Sequence, residues 1–252
     1  MVTLSVQLFT LRSIEDDARM LDAVKAAGYE NVELYGDKLG RGMELASRLK
    51  ATGLRASGSH VALADLVDDL ERVVANAQAF ELTSLFVPSV PVPQRGMAAE
   101  GWRALGQQLA DLSDKLWAHN MTLGYHNHNW DLDLKEGDKT ALDLVFEAAG
   151  SAPVQWEADI AWLTRGGVDP IVWLRRHSHR LTAAHVKDLA PAGQNQEEAG
   201  WADVGEGTLD WTVLWPEAVA NGAKVMVVEH DRPLDPAKTV TNSFRYLQEK
   251  VL

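Results

Sequence analysis

Residues 3–34 read TLSVQLFTLRSIEDDARMLDAVKAAGYENVEL and contain a pattern that returns along the whole chain. The stretch begins with a strand-like apolar run, Thr3–Phe9, and ends with another, Tyr29–Leu34. Between them, apolar residues of Ile14–Ala27 recur at spacings of three and four, which predicts an amphipathic helix. Ser13 is the predicted N-cap, with an acid three residues later, and Gly28 is predicted to end the helix. The stretch therefore predicts a strand–helix–strand unit.

The same alternation continues to the end of the chain and gives eight strand–helix pairs. Such a series requires a parallel sheet, and eight units can close it. We therefore predict an α/β fold, a (β/α)8 TIM barrel formed as one domain by residues 1–252, with a doubly wound open sheet as the alternative. The remaining predicted strands are Leu54–Ser59, Ser84–Pro88, Met121–Asn127, Val154–Ile160, Leu181–Val186 and Lys224–Glu229, and the remaining helices are Gly42–Thr52, Ala64–Phe80, Trp102–His119, Ala141–Ala149, Pro170–Arg176, Leu209–Asn221 and Pro236–Lys250.

Composition excludes several classes of function. The 24 Lys and Arg residues against 36 Asp and Glu give a formal charge of −12, which disfavours binding to a nucleic-acid backbone. The chain has no cysteine, so disulfides, Cys-ligated metals and thiol nucleophiles are excluded. No apolar stretch approaches the ~18 residues of a membrane span, and the amino terminus does not resemble a signal peptide. We expect a cytoplasmic protein without nucleic-acid or membrane partners, which could form a homo-oligomer.

Loop length indicates which end of the barrel is functional. The predicted strand-to-helix connections include three long ones, Ser89–Glu100, His128–Thr140 and Lys187–Thr208, whereas the helix-to-strand connections are short. Loops longer than about 12 residues in a compact domain are usually functional. In a TIM barrel these loops lie at the carboxyl ends of the strands, where active sites are found. We therefore expect the chemistry at that end.

Polar residues end most of the predicted strands, although the strands are otherwise apolar. Asp159, His185 and Glu229 end three neighbouring strands and could together enclose one divalent ion, since such ions bind carboxylate oxygens and neutral imidazoles. His126, on the preceding strand, is the predicted fourth ligand. Glu157 shares a face with Asp159 one layer deeper and is the alternative.

Further residues near this end are candidates for substrate binding or catalysis. Aromatic side chains suit the C–H face of a sugar ring, and Trp162 is the main candidate, with Trp130 second. Lys187 is a candidate base but the weaker one, because we expect it on the face of its strand opposite His185 unless the strand ends there. The other predicted substrate contacts are Gln7, Glu33, His60, His128 and Arg232.

Several motifs together carry a family resemblance. The chain resembles the sugar phosphate isomerases/epimerases of the xylose-isomerase-like TIM-barrel superfamily, which also holds ketose 3-epimerases, inosose dehydratases and endonuclease IV. The resemblance extends from the first strand to the last. The motifs are VQLFTLR at 6–12, YHNH at 125–128, DIAW at 159–162, GGVDP at 166–170, HVKD at 185–188, VGEG at 204–207 and VEHD at 228–231.

The resemblance implies a set of ligands and a mechanism. Ketose 3-epimerases hold an ion, often manganese, with Glu, Asp, His and Glu from the last four strands, and the two glutamates exchange the substrate proton. Asp159, His185 and Glu229 match the last three of these positions. His126 stands where the epimerases have the first glutamate, and Trp162 stands where they have a histidine. These departures favour a mechanism with one base, which would be Glu229, Lys187 or a histidine such as His126.

The expected function is a metal-dependent isomerase or epimerase that acts on a sugar, sugar phosphate or keto-sugar through an enediolate. The expected cofactor is a divalent ion, manganese first, with magnesium, cobalt or zinc as alternatives. An inosose-dehydratase-like lyase is the alternative reading. A nuclease of the endonuclease IV type would need more metal ligands and a basic surface, which a charge of −12 disfavours. A barrel that only binds a carbohydrate is the remaining alternative.

Overall fold

Eight parallel strands close into a barrel in the computed structural model, which describes residues 2–252. Each strand pairs with its neighbours in the chain, and the first strand also pairs with the last, with Thr3 opposite Val225. The predicted (β/α)8 TIM barrel is confirmed, and the open sheet is not formed. The barrel strands are β1 (Thr3–Gln7), β2 (Asn31–Leu34), β3 (Arg55–His60), β4 (Ser84–Val87), β5 (Thr122–His126), β6 (Gln155–Asp159), β7 (Leu181–Val186) and β8 (Val225–Val228).

Helices connect successive strands, and their apolar faces pack on the barrel in one continuous core. Two small antiparallel hairpins, formed in the loops after β5 and β7, add to this arrangement. The helices are α1 (Asp17–Ala27), α2 (Gly36–Leu39), α3 (Gly42–Thr52), α4 (Leu63–Asp68), α5 (Leu70–Ala79), α6 (Ala99–Trp117), α7 (Ala141–Ala148), α8 (Ile160–Arg165), α9 (Pro170–Arg176), α10 (Trp211–Ala220) and α11 (Pro236–Lys250).

Two predictions about helix ends were wrong. The N-cap of α1 is Asp16, whose carboxylate accepts a hydrogen bond from the backbone N–H of Arg19, and not Ser13. The predicted helix Ala64–Phe80 is two helices, because Asp69 leaves the helical conformation and caps α5 instead. A short polar side chain that can bond to a backbone N–H competes with helix continuation in this way. The predicted end of α1 at Gly28 is confirmed, with φ = 107°.

The interior of the barrel is polar at its amino end. The hydroxyls of Ser5 and Ser57 lie 2.8 Å apart, and Gln155 Oε1 accepts hydrogen bonds from the hydroxyls of Thr122 and Thr182 at 3.2 and 3.0 Å. These side chains line or border a cavity of about 290 Å³. At this end, neutral polar groups therefore satisfy one another.

One aromatic ring fills the middle of the barrel. Phe86 of β4 occupies the space left by glycines on the two adjacent strands, Gly58 and Gly124. A methyl group added to Gly124 would overlap the Phe86 ring, so close packing requires glycine there.

The helices of residues 2–252 are all too short or too polar to cross a lipid bilayer.

Candidate active site

The carboxyl ends of β6, β7 and β8 bring together three ligand-type side chains, which we call the rim group: Asp159, His185 and Glu229. Asp159 lies level with His185 in the register of the two strands. One donor atom from each residue lies within 4.8 Å of the others, and His185 Nδ1 is 3.0 Å from Glu229 Oε2. All three side chains are buried. The sequence prediction that these residues converge is therefore borne out by the geometry, and their role as ligands stays a prediction.

Lys187 lies against the rim group. Its Nζ is 3.1 Å from Asp159 Oδ2, 3.0 Å from Glu229 Oε2 and 2.7 Å from Asp231 Oδ2, and the side chain is fully buried. The expectation that Lys187 faces away from His185 was wrong, because residues two apart in an extended strand share a face. Burial opposes the charge, but Asp159, Asp231 and Glu229 raise the pKa of Lys187, so it is an ammonium ion.

A second set of imidazoles and a carboxylate lies next to the rim group, and we call it the deep group: His60, His126, Glu157 and His185. Glu157 Oε2 is 2.6 Å from His60 Nε2 and 3.1 Å from His126 Nδ1. His185 Nε2 is 3.4 Å from the same oxygen. Glu157 thus lies among three histidines, one layer below Asp159 as predicted.

Two residues predicted as substrate contacts lie in the barrel interior beside the deep group. Gln7 Nε2 donates a hydrogen bond to Glu33 Oε2 at 2.7 Å. The same oxygen is 2.8 Å from His185 Nε2 and 3.4 Å from His60 Nε2. Gln7 therefore fixes Glu33, and Glu33 in turn orients His185, as carboxylates commonly do for metal-binding histidines.

His126 lies between the two groups. Its Nδ1 faces Glu157, whereas its Nε2 is 3.6 Å from Asp159 Oδ2. The choice of His126 over Glu157 as the fourth ligand of the rim ion stays a prediction.

The buried acids differ in their tendency to ionise. Burial, with the neighbouring Glu33, raises the pKa of Glu157 to about 7. Burial also raises the pKa of Asp159 to about 6, although Lys187 opposes the shift. Burial acts on Glu229 in the same sense, but Lys187 and His185 hold its pKa well below the ordinary value. Glu229 is therefore the most readily ionised of these three acids, and Glu157 is the least.

An aromatic wall, formed by His128, Trp130, Trp162 and Trp201, stands beside the rim group. His128 stacks on Trp130 with ring centres 4.3 Å apart, and Trp162 meets Trp201 edge to face at 4.8 Å. His128 Nδ1 and the indole nitrogens of Trp130 and Trp162 are buried without a hydrogen-bond partner. The wall thus offers apolar faces and unused polar atoms together.

The long loop after β7 is held by one carboxylate. Asp188 Oδ2 accepts hydrogen bonds from the backbone N–H groups of Gly205 and Gly207, and its Oδ1 accepts from those of Leu189 and Leu209. A side chain at Gly207 would overlap Asp188. Asp188 of the HVKD motif therefore binds the glycines of the VGEG motif and holds the two ends of the loop together.

Three residues of the site were missed by the sequence analysis. Asp231 binds Lys187, and its position two residues after Glu229 in a strand-like run was an available signal. Asp131 accepts hydrogen bonds from the Tyr125 hydroxyl and the His128 N–H, and the spacing of a capping box was its signal. Arg95 lies 3.6 Å over the Trp130 ring, and no sequence pattern pointed to it. Conversely, the predicted contact Arg232 is exposed and forms no ion pair within residues 2–252.

Active sites of TIM-barrel enzymes lie at the carboxyl ends of the strands, and the buried carboxylates and imidazoles of this (β/α)8 barrel lie at that end. The chain belongs to the xylose isomerase-like TIM barrel family, whose profile matches residues 21–250. No curated protein matches the sequence significantly.

Solved structures with low sequence identity share the fold. A sugar phosphate isomerase/epimerase from Parabacteroides distasonis superposes with a TM-score of 0.81 at 17% identity, covering 100% of this chain and 96% of that one. A probable 3-DHS dehydratase from Bacillus anthracis gives 0.78 at 12% identity, with 98% and 99% covered. A 3-keto-D-glucoside 4-epimerase from E. coli gives 0.71 at 17% identity, with 98% and 99% covered.

Proposed function

We propose that this protein is a divalent-metal-dependent isomerase or epimerase of a sugar, sugar phosphate or keto-sugar. The observation that carries the proposal is the convergence of the buried rim group, with donor atoms within 4.8 Å of one another, beside the Lys187 ammonium. Similarity to proteins named as a sugar phosphate isomerase/epimerase and a 3-keto-D-glucoside 4-epimerase supports the substrate class.

The residues of the rim group fit a divalent ion. Asp159 Oδ2 is buried and makes no hydrogen bond, and the Lys187 ammonium 3.1 Å away is its one close cation within residues 2–252, so the oxygen is free to bind a divalent ion as well. Two carboxylates and one imidazole suit manganese or magnesium, with cobalt and zinc as alternatives. Asp159, His185 through Nδ1 and Glu229 would hold the ion, with His126 Nε2 as the predicted fourth ligand. A bound ion would supply a Lewis acid that polarises a substrate carbonyl.

Glu229 is the proposed base. Both of its polar contacts involve Oε2, which leaves Oε1 to face a substrate and take a proton from the carbon next to a carbonyl. The low pKa of Glu229 keeps it ionised but makes it a modest base, so the acidity of the substrate proton must be raised. The Lys187 ammonium lies where it stabilises negative charge that develops on a substrate oxygen.

The aromatic wall is the proposed sugar-binding surface. Trp162 would present a ring face to the C–H side of a sugar. Trp130, whose ring is covered by His128 and Arg95, would contribute its edge, and the unpartnered indole N–H groups of both residues would donate hydrogen bonds to sugar oxygens. His128 Nδ1 provides a further polar contact. The ligand class proposed for this site is a small carbohydrate.

A lyase that removes water from a keto-polyol is the second candidate. Lys187 lies 3.0 Å from Glu229 of the rim group, so the site holds a carboxylate that can take a proton next to an ammonium that can give one. In such an elimination, Glu229 takes the proton next to the carbonyl, the C–O bond at the following carbon breaks, and Lys187 gives a proton to the departing hydroxide. The products are water and an unsaturated ketone. Similarity to a protein named as a probable 3-DHS dehydratase supports this candidate.

Proton exchange tests the proposal directly. Protein loaded with Mn²⁺ would be incubated in D₂O with a panel of ketoses, ketose phosphates and keto-polyols, and deuterium incorporation next to the carbonyl would be followed by NMR. We expect exchange on at least one substrate, lost in Glu229→Gln and kept in Asp111→Asn, which changes an exposed residue of α6. An ultraviolet band from an unsaturated ketone would indicate the lyase. Absence of exchange on the whole panel with metal bound would contradict both candidates and favour a non-catalytic barrel.

A further inference from the structure

The deep group has the composition and spacing of a metal site. His60 Nε2, His126 Nδ1 and His185 Nε2 lie 2.6, 3.1 and 3.4 Å from Glu157 Oε2. Ligand atoms bound at ~2.0 Å to a tetrahedral ion lie about 3.3 Å from one another. Small rotations of these side chains would therefore place an ion between them.

One oxygen of Glu157 has no partner, and a bound cation would be that partner. Its Oε1 is buried without a hydrogen bond, and the residue is fully buried. The three imidazoles contact only Oε2, so the hydrogen bonds of the deep group leave half of the carboxylate unsatisfied. An unpaired carboxylate oxygen in a dry interior is strongly unfavourable.

The carboxylates around both groups outnumber the ammonium groups that contact them. Lys187 is the one ammonium that contacts the cluster in the described part of the chain, and it neutralises one of the five carboxylates. Metal binding requires neutral imidazoles and ionised carboxylates, and in that state four negative charges remain. One divalent ion in the rim group would balance two of these, and a second ion would balance the rest. The five carboxylates are those of Glu33, Glu157, Asp159, Glu229 and Asp231.

We propose that the deep group is a second divalent-cation site, ligated by His60 Nε2, His126 Nδ1 and Glu157, and that it prefers Zn²⁺ or Co²⁺ to Mn²⁺. Imidazole-rich sites favour zinc and cobalt, whereas carboxylate-rich sites favour manganese and magnesium. The rim group, with two carboxylates, and the deep group, with up to three imidazoles, therefore differ in selectivity. His60 is the most exposed member, with 10% of its side chain accessible, and provides the entry side.

His185 links the two sites. Its Nδ1 faces Glu229 of the rim group, and its Nε2 faces Glu157 and Glu33. A neutral imidazole has one unprotonated nitrogen and serves one ion at a time. When Nδ1 holds the rim ion, Nε2–H donates to Glu33, and the deep ion keeps three protein ligands with a fourth position for water. Filling one site therefore lowers the affinity of the other.

The second site is independent of the proposed reaction, although it changes one earlier assignment. It places His126 in the deep site through Nδ1, so the rim ion would be left with Asp159, His185 and Glu229. The proposed reaction can fail although the protein binds two ions, and it can hold although the protein binds one. Metal stoichiometry and proton exchange must therefore be measured separately.

The test is the number and kind of ions bound. Protein stripped with a chelator would be titrated with Zn²⁺, Co²⁺ and Mn²⁺, and bound metal would be counted by native mass spectrometry and elemental analysis. We expect two equivalents of Zn²⁺ in the wild type, and one Mn²⁺ with one Zn²⁺ when both metals are supplied. Co²⁺ in the deep site should give the intense visible bands of tetrahedral coordination. These bands should disappear in His60→Asn and in Glu157→Gln, while one equivalent remains.

Matched variants separate the two sites. Asp159→Asn combined with Glu229→Gln should keep one Zn²⁺ and the Co²⁺ bands but lose Mn²⁺, and the exposed control His179→Asn should keep two equivalents. Two equivalents in both His60→Asn and Glu157→Gln would overturn the proposal. A single equivalent in the wild type would overturn it as well, and its loss in His126→Ala would then assign His126 to the rim ion. Circular dichroism identifies any variant that does not fold. If either His60→Asn or Glu157→Gln fails to fold, the metal content of the other variant tests the proposal.

Discussion

The two ends of the barrel interior are built on the same strands and have opposite chemistry. At the amino end, hydroxyls and one carboxamide bond to each other around a cavity of about 290 Å³. At the carboxyl end, carboxylates, imidazoles and an ammonium lie close together, and Glu157 Oε1 is left without a hydrogen-bond partner. The Phe86 ring lies between the two ends.

The two ends differ in the free-energy cost of burying their polar groups. Neutral polar groups that satisfy one another cost little to bury, whereas unpaired charges are expensive and persist where binding or catalysis uses them. We therefore expect substitutions at the carboxyl end to change metal binding and turnover, and substitutions at the amino end to change stability alone. The following predictions test this division, from the largest expected effect to the smallest.

The largest effect should follow from removal of a rim carboxylate or imidazole. Asp159→Ala, His185→Ala and Glu229→Ala should each abolish Mn²⁺ retention and lower proton exchange by at least about 100-fold, because an ion ligand or the base is lost. The fold should stay intact, since stability resides in the apolar layers. Elemental analysis, exchange rates and circular dichroism check this, with Asp111→Ala as the surface control. A variant with full metal content and activity would remove its residue from the site.

The middle of the barrel should be sensitive to added volume. Gly124→Ala places a methyl group against the Phe86 ring and should lower the free energy of unfolding by ~1–3 kcal/mol. Urea unfolding measures the change. Gly96→Ala, where no atom lies within 4 Å of the added carbon, is the matched control and should change little. Equal stability of both variants would show that Phe86 moves freely.

A substitution at the amino end should affect stability without affecting turnover. Gln155→Ala removes the acceptor shared by Thr122 and Thr182 and should cost about 1 kcal/mol, because the adjoining cavity gives the two hydroxyls access to water. Exchange rates and metal content should equal those of the wild type. The exposed Gln108→Ala serves as the control for urea unfolding. A loss of turnover in Gln155→Ala would break the division between the two ends.

The last prediction concerns the pH dependence of stability rather than the division between the two ends. Burial raises the pKa of Asp131 to about 7 from 3.8, although hydrogen bonds from the His128 N–H and the Tyr125 hydroxyl oppose the shift. The folded state thus holds a proton that the unfolded chain releases, so the contribution of Asp131 to stability falls as pH rises from about 4 to 7. Asp131→Asn should remove this pH-dependent contribution to stability.

Urea unfolding at a series of pH values measures the effect. The stability of Asp131→Asn relative to the wild type should rise with pH by up to ~1.4 kcal/mol per unit. The exposed neighbour in Asp133→Asn should give a curve parallel to the wild type. A parallel curve for Asp131→Asn would mean that Asp131 is ionised in the folded protein throughout.

The sequence was sufficient for the barrel and for the convergence of the rim group. Periodicity and strand order depend on local pattern, and the carboxyl ends of parallel strands meet at one edge, so Asp159, His185 and Glu229 could be placed together. The helix start at Asp16 and the break at Asp69 were missed, because competing cap residues lie close in sequence and tertiary packing selects among them.

Side-chain partners across strands were less accessible to sequence reasoning. The contact of Gln7 with Glu33 depends on the stagger between β1 and β2, which no residue pattern encodes. Arg95 reaches Trp130 from a loop whose path is set by its own packing. Lys187 is a different case, since its direction followed from the two-residue alternation of a strand and was misassigned.

The loop after β7 is closed at its base independently of the sequence that it contains. Asp188 holds the far end of the loop through Gly205, Gly207 and Leu209, so the segment between Ala190 and Val204 is closed at its base whatever its own sequence. Segments closed in this way can be exchanged or lengthened with little disturbance to the barrel beneath. The surroundings of the rim group can thus change by replacement of this one segment, while the strands that carry the rim group stay the same.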